Sequence, residues 1–187
     1  MTKQQILEAA ADIIGEKGFH GTSMNEIAQA VNLQKASLYH HVNSKQEILV
    51  NLLDQALDLL IENMLAVTEQ DLTPEDKLRQ AMRMYLEILA DNRALASVLL
   101  LEHRSLEAKM RRRHIPRRDR FETLWRNIIE EGVEQGRFAC EDPGLAVKAL
   151  LGQLNWTIMW YRPNGKLNPN QIADQNADMF LNGLIEC

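Results

Sequence analysis

Aromatic side chains are scarce in this sequence, with 4 Phe, 3 Trp and 3 Tyr among 187 residues. Val is scarce beside Leu, 7 against 27. Sheets draw on β-branched and aromatic residues and helices on Leu, so this balance predicts an all-α fold. Cysteine is limited to Cys140 and Cys187, which form no CxxC pair. At most one bridge is available, so neither a disulfide scaffold nor a thiolate zinc site is expected, and a reducing cytoplasm fits. No apolar run approaches the ~18 residues of a membrane-spanning helix. The opening Met1-Thr2-Lys3-Gln4-Gln5 leads into an amphipathic pattern and not a secretory segment, so no membrane partner is expected. Positive charge is in deficit as well: 21 basic against 26 acidic side chains, a net of −5. Read as a total, that deficit argues against nucleic acid.

What is present is helical punctuation. Ile6, Ala9, Ala10, Ile13 and Ile14 recur at helical spacing, with Gly18 as a stop signal. A short second helix is expected over about 25–31, with Thr22 and Ser23 as cap candidates, and a third over about 35–41. Ser44-Lys45-Gln46-Glu47 has capping-box spacing and opens a long stripe from Ile48 to Met64. Thr73-Pro74, Asp142-Pro143 and Asn168-Pro169 each read as a helix start, and Pro116 as an interruption. Nine helices result. The expected division is 1–46 and 47–187.

Charge is unevenly distributed among these helices. Residues 1–50 carry a net of −1, 51–103 of −6, 104–120 of +6 and 121–187 of −4. No acid lies between Glu26 and Glu47. Two short helices flank Asn32-Leu33-Gln34, a helix-turn-helix length, and Asn tolerates the left-handed conformation such a turn demands. Ile27, Ala28, Val31, Leu33 and Leu38 supply the apolar wedge. Gln34, Lys35 and Ser37 are then placed to reach base edges, with Ala36 small enough for a groove wall. Tyr39, His40 and Lys45 are placed to reach phosphates, and Thr22 to add a phosphate contact at a helix start. His40 and His41 are no metal pair, because neighbours on a helix diverge by ~100°.

At these residues the sequence resembles the TetR/AcrR family of transcriptional regulators. Thr22, Glu26-Ile27-Ala28, Leu33, Ala36-Ser37-Leu38-Tyr39, His41, Lys45, Glu47 and Ile48 carry the resemblance, over about 3–50. Asn32, Gln34 and Val42 depart from the family's usual Gly, Ser/Thr and Phe. The resemblance implies a helix-turn-helix DNA-binding domain followed by a helical domain for ligand binding and dimerisation.

In that second domain, the stretch Leu145 to Tyr161 is apolar almost all round, which demands burial on more than one side. Pairing of this helix and the last one with their copies in a homodimer is the expected solution, and a two-fold dimer matches a palindromic operator. The basic segment 104–120 reads either as a solvated face or as an anion site, since Arg pairs bidentately with phosphate or carboxylate. Some TetR relatives respond to acyl-CoA thioesters. On that resemblance the candidate effector residues are Arg113, Arg117 and Arg162 for the charged end and Tyr85, Trp125, Trp156 and Trp160 for an apolar tunnel.

The reading is therefore a ligand-responsive repressor released from double-stranded DNA by a small-molecule effector, with no cofactor. Two rivals are a helical-bundle enzyme acting on a thioester and a sequence-nonspecific DNA-binding protein. The first lacks facing Glu-x-x-His pairs, a G-x-S-x-G elbow and a glycine-rich phosphate loop. The second sits poorly with a net −1 over 1–50.

Overall fold

The computed structural model describes residues 2–184. Among them are nine α-helices and no strand: α1 Lys3–Lys17, α2 Met24–Ala30, α3 Lys35–Leu38, α4 Lys45–Thr68, α5 Pro74–Asp91, α6 Arg93–Leu101, α7 Ala108–Glu134, α8 Pro143–Trp160 and α9 Pro169–Asn182. Cys187, named above, lies outside the described residues.

The starts follow from their caps. Thr2 and Ser23 close capping boxes with Gln5 and Glu26, and Asn168 closes one with Gln171. At α4 only half of the expected box forms. Ser44 Oγ accepts the Glu47 N–H, but the Glu47 carboxylate turns to the backbone and side-chain N–H groups of Asn43. Thr73 caps α5 through the Asp76 N–H, with Pro74 at the first helical position.

Two expectations are corrected. The third helix is one turn long, Lys35–Leu38, and a hydrogen-bonded turn through Val42 replaces the rest. Pro116 does not interrupt α7, which runs continuously for 27 residues. Proline forfeits one helical hydrogen bond, and at an exposed position the freed carbonyl stays open to water.

The chain forms two compact units: Met1–Asp58 with Asn92–Arg117, and Leu59–Asp91 with Arg118–Cys187. Helices α4 and α7 each contribute residues to both. In the first unit α1 packs on α6 and α2, and α2 on α3. Ile6, Ile14, Ile27, Leu38, Ile48 and Leu49 are fully buried there. Asn32 has φ 55°, the left-handed value expected of the turn residue. In the second unit α5 packs on α9 and α8. Its centre is an aromatic trio, Tyr85, Phe121 and Trp125, with ring centroids about 6 Å apart.

Candidate nucleic-acid interface and effector region

Helix α3 holds its place by its apolar side and leaves its polar side unengaged. Leu38 is wholly buried and Val42 nearly so, while Gln34, Lys35, Ala36, Tyr39 and His40 are exposed and Ser37 half-buried. Among the described residues, no hydrogen bond or ion pair engages the side chains of Gln34, Lys35, Ser37, Tyr39 or His40. Six of the eight residues expected at DNA thus form one surface, along the start of α3 and the turn after it.

The acids that bound this segment in sequence, Glu26 and Glu47, are both paired. The Glu26 carboxylate takes a 2.9 Å hydrogen bond from Lys17 Nζ and a second from the Ser23 N–H. Those bonds hold its pKa down to about 2. Glu47 is hydrogen-bonded by Lys3 and Asn43. The surface facing outward is therefore a donor array without an opposing free carboxylate, the arrangement phosphate contact requires.

The other two expected residues are turned inward. Lys45 Nζ donates to the carbonyls of Phe19 (2.8 Å) and Thr22 (2.6 Å), and lies 4.3 Å from the Phe19 ring centroid. Its ammonium thereby ties the α1–α2 loop to the first turn of α4. Thr22 is buried; its hydroxyl donates to the Gly18 carbonyl and its N–H to that of Phe19. The cap of α2 is Ser23 instead. Both residues brace the helix-turn-helix; Thr22 has no donor left for phosphate, and Lys45 has spent two of its three N–H groups on the loop carbonyls. The signal sequence reasoning missed is Phe19 followed by Thr22, an aromatic and two carbonyls in a tight loop that attract a cation.

The expected effector residues are divided between the two units. Arg113 and Arg117 belong to the first unit, where both face the buried Asp54. Arg117 Nη1 lies 3.2 Å and Arg113 Nη2 3.4 Å from the same Asp54 oxygen, and Arg117 Nε donates to Asp58. The buried His114 ring meets the other Asp54 oxygen at 3.0 Å. Gln46 adds a second clamp, donating to the Ser105 carbonyl and accepting the Glu107 N–H. Arg113, His114 and Arg117 on α7, and the Gln46 clamp just before it, thus fasten the start of α7 to α4.

Tyr85 and Trp125 do meet, in the core of the second unit. Tyr85 donates its hydroxyl to Asn155 Oδ1, and burial pushes its pKa well up. Trp156 and Trp160 instead stand on the exposed side of α8, with Trp156 65% accessible. The buried side of α8 is Val147, Leu150, Leu154 and Thr157, and helical spacing puts Trp156 and Trp160 opposite it. Arg162 is exposed in the loop after α8. Among the described residues, no group of three His, Cys, Asp or Glu side chains is placed to hold a metal ion. No helix there is long and apolar enough to cross a membrane.

Comparison with known proteins decides the family. The pattern of the bacterial regulatory proteins of the tetR family matches residues 6–52, and that of the tetracyclin repressor-like C-terminal domain matches 71–184. The chain belongs to the TetR family. It is a DNA-binding transcriptional regulator. The crystal structure of the TetR-family regulator PfmR from Thermus thermophilus is 38% identical, with a TM-score of 0.88, over 97% of this chain and 100% of that one. AibR, solved in complex with isovaleryl coenzyme A and operator DNA, is 31% identical with a TM-score of 0.88, over 95% and 96%. The transcriptional repressor KstR2 of Mycobacterium tuberculosis is 26% identical over 182 residues, 96% of this chain and 91% of that one. The TetR-family helix-turn-helix accounts for the donor surface on α3, and its C-terminal domain for the aromatic core of the second unit.

Proposed function

We propose that this TetR-family chain is a cytoplasmic, homodimeric repressor that an acyl-CoA-type effector releases from a palindromic operator. The observation that carries the DNA half is the donor face of α3, whose flanking acids are already paired. In this reading Gln34, Lys35 and Ser37 approach base edges, beside the small Ala36, while Tyr39 and His40 approach phosphates. Lys45 and Thr22 act as positioning residues.

The dimer half rests on α8 and α9. Leu145, Ala149, Gly152, Trp156 and Met159 recur at four- and three-residue steps along the exposed side of α8, with Met179 exposed on α9. Leu145 is 64% and Trp156 65% accessible, an apolar stripe that a lone chain leaves in water. A Cβ at Gly152 would meet nothing within 4 Å, which leaves room for a partner helix to approach closely. Two α3 helices related by the dimer axis would then read half-sites ~34–36 Å apart.

The effector half is supported by AibR, whose solved complex holds isovaleryl coenzyme A together with operator DNA. Release requires the effector to favour the form that does not fit the operator. Helix α7 supports a route for that preference: its later turns bring Phe121 and Trp125 into one core, and its start is fastened to α4 through Asp54 and Gln46. The test is titration of the protein–operator complex with CoA thioesters of increasing chain length. Release by a thioester and not by CoA supports the reading; operator binding indifferent to every thioester overturns the effector class.

A further inference from the structure

Not all of the basic segment is spent on α4. Within 103–118, Arg113, His114 and Arg117 meet Asp54, Arg111 donates to the Leu106 carbonyl and Arg118 pairs with Asp119. Arg104, Lys109 and Arg112 are exposed, and among the described residues they make no hydrogen bond or ion pair. Glu107 is the one acid in this stretch. Helical spacing explains the division on α7. Lys109 and Arg112 are three residues apart and share a side, about 140–160° round the axis from the buried His114.

The loop that carries Arg104 is held to the helix-turn-helix from two sides, all within the first unit. Gln46, in the first turn of α4, donates to the Ser105 carbonyl at 2.8 Å and accepts the Glu107 N–H at 3.0 Å. Glu102, just past α6, reaches the end of α1: a Cβ on Gly18 would lie 3.2 Å from its Oε1. Its other oxygen accepts from the Ser105 hydroxyl. From His40, on the donor surface, to Gln46 the chain spans at most about 21 Å. Helix α7 then follows α4 with the two starts together, since Gln46, Asp54 and Asp58 meet Ser105, His114 and Arg117 in that order. Arg104 and Lys109 therefore stand at the end of α7 that lies beside the first turn of α4.

Exposure decides what these cations can receive. A small anion calls for converging donors in an enclosed site. Here the free cations stand in solvent along a loop and one helix side, and no polar atom of 103–118 is buried without a partner. A DNA backbone presents its phosphates in series, one charge per ~1.7 Å of duplex, and is gripped by exposed cations without enclosure. The unit that carries α3 brings such a backbone to this surface.

We infer that Arg104 and Lys109 form a second phosphate-binding surface, outside the helix-turn-helix, that grips the DNA backbone beside the half-site read by α3. It adds affinity and no base preference. The inference rests on α3 as the reader and supplies a backbone contact that the reading helix lacks.

The test measures Arg104→Gln, Lys109→Gln and the double substitution on two duplexes, one selected from a random pool by the parent protein and one of random sequence. Neither side chain has an internal partner, so unfolding temperatures are expected to match the parent's. Each substitution is expected to flatten the dependence of log affinity on log salt by about one unit per protomer. One unit is a roughly fourfold change in affinity between about 50 and 200 mM salt. The loss at low salt should be equal on the two duplexes, and Arg104→Lys and Lys109→Arg should keep the parent's slope. A slope unchanged by the double substitution overturns this inference and leaves the reading of α3 standing. Equal flattening by Arg120→Gln, an exposed cation of the second unit, also overturns it, because overall charge and not contact would then be at work. A loss confined to the selected duplex moves these residues to base edges and overturns the role inferred. Weaker release by CoA thioesters at an unchanged slope assigns the pair to the effector instead. Failure of the parent protein to enrich any sequence overturns the reading of α3 itself.

Discussion

Two stretches of this chain are rich in groups that bind anions, and the fold treats them in opposite ways. Residues 34–40 offer few cations, yet their side chains stand free on a surface whose flanking acids are paired. Residues 104–120 carry a net of +6, yet Arg113, His114 and Arg117 converge on Asp54, and Arg111 donates to the Leu106 carbonyl. Linear charge density measures supply, and the tertiary partners decide how much is left over. A near-neutral segment can therefore be the better reader of DNA.

The most severe way to break this comparison is to remove the acid that holds the arginines. Asp54→Ala leaves a buried His114 and two guanidinium groups without their common acceptor. It is expected to cost about 2–3 kcal/mol of stability, discounted from a fully buried pair because both arginines reach solvent. For a chain of this size that corresponds to a fall of roughly 5–10 °C in Tm. Denaturant unfolding gives the free energy directly. A stability unchanged by the substitution would mean that these arginines are available to a ligand after all.

Next in size are the donors of α3. Gln34→Ala and Ser37→Ala each remove a side chain that makes no internal hydrogen bond, so stability should hold. Operator affinity should fall by about 1–3 kcal/mol for each base edge that is no longer read. Random DNA should be affected far less. Equal losses on operator and random sequences would move these residues from base edges to the backbone.

How much of this was legible beforehand differs between the same two stretches. The turn at Asn32, the apolar wedge and the helix starts at Ser44, Thr73, Asp142 and Asn168 depend on neighbours a few residues away, and periodicity and caps reveal them. The length of α3 does not follow from periodicity, because Leu38 and Val42 bury equally well from a turn. The destination of Arg117 depends on Asp54 and Asp58, some sixty residues earlier in sequence, and no local pattern reports it. Trp156 and Trp160 were indistinguishable from Trp125 as apolar aromatics; only the side of the helix separates them.

Lys35 and Lys45 sharpen the contrast within the head itself. Lys35→Ala removes an exposed, unengaged cation and should flatten the salt dependence of operator binding by about one unit. Lys45→Met removes bonds to the carbonyls of Phe19 and Thr22 and should lower stability by about 1–2 kcal/mol. Its salt slope should stay as in the parent protein. A slope reduced by Lys45→Met would show that its ammonium leaves the loop to meet phosphate.

The smallest expected effect concerns the acid that guards the donor surface. Glu26 is ionised in the folded head with its pKa held down to about 2 by hydrogen bonds from Lys17 and Ser23, against an ordinary value of 4.5. A group depressed in this way stabilises the fold above its unfolded pKa, and that contribution fades as pH falls from about 4.5 towards 2. Glu26→Gln keeps much of the cap but cannot change charge, so its stability should vary less with pH across that window than the parent's. Near neutral pH the exposed Lys17–Glu26 pair contributes little to stability. Its loss frees the Lys17 ammonium and should strengthen binding to all sequences slightly at low salt. Weaker binding there would mean that the cap of α2, and not the neutralised charge, is what Glu26 supplies to the reading head.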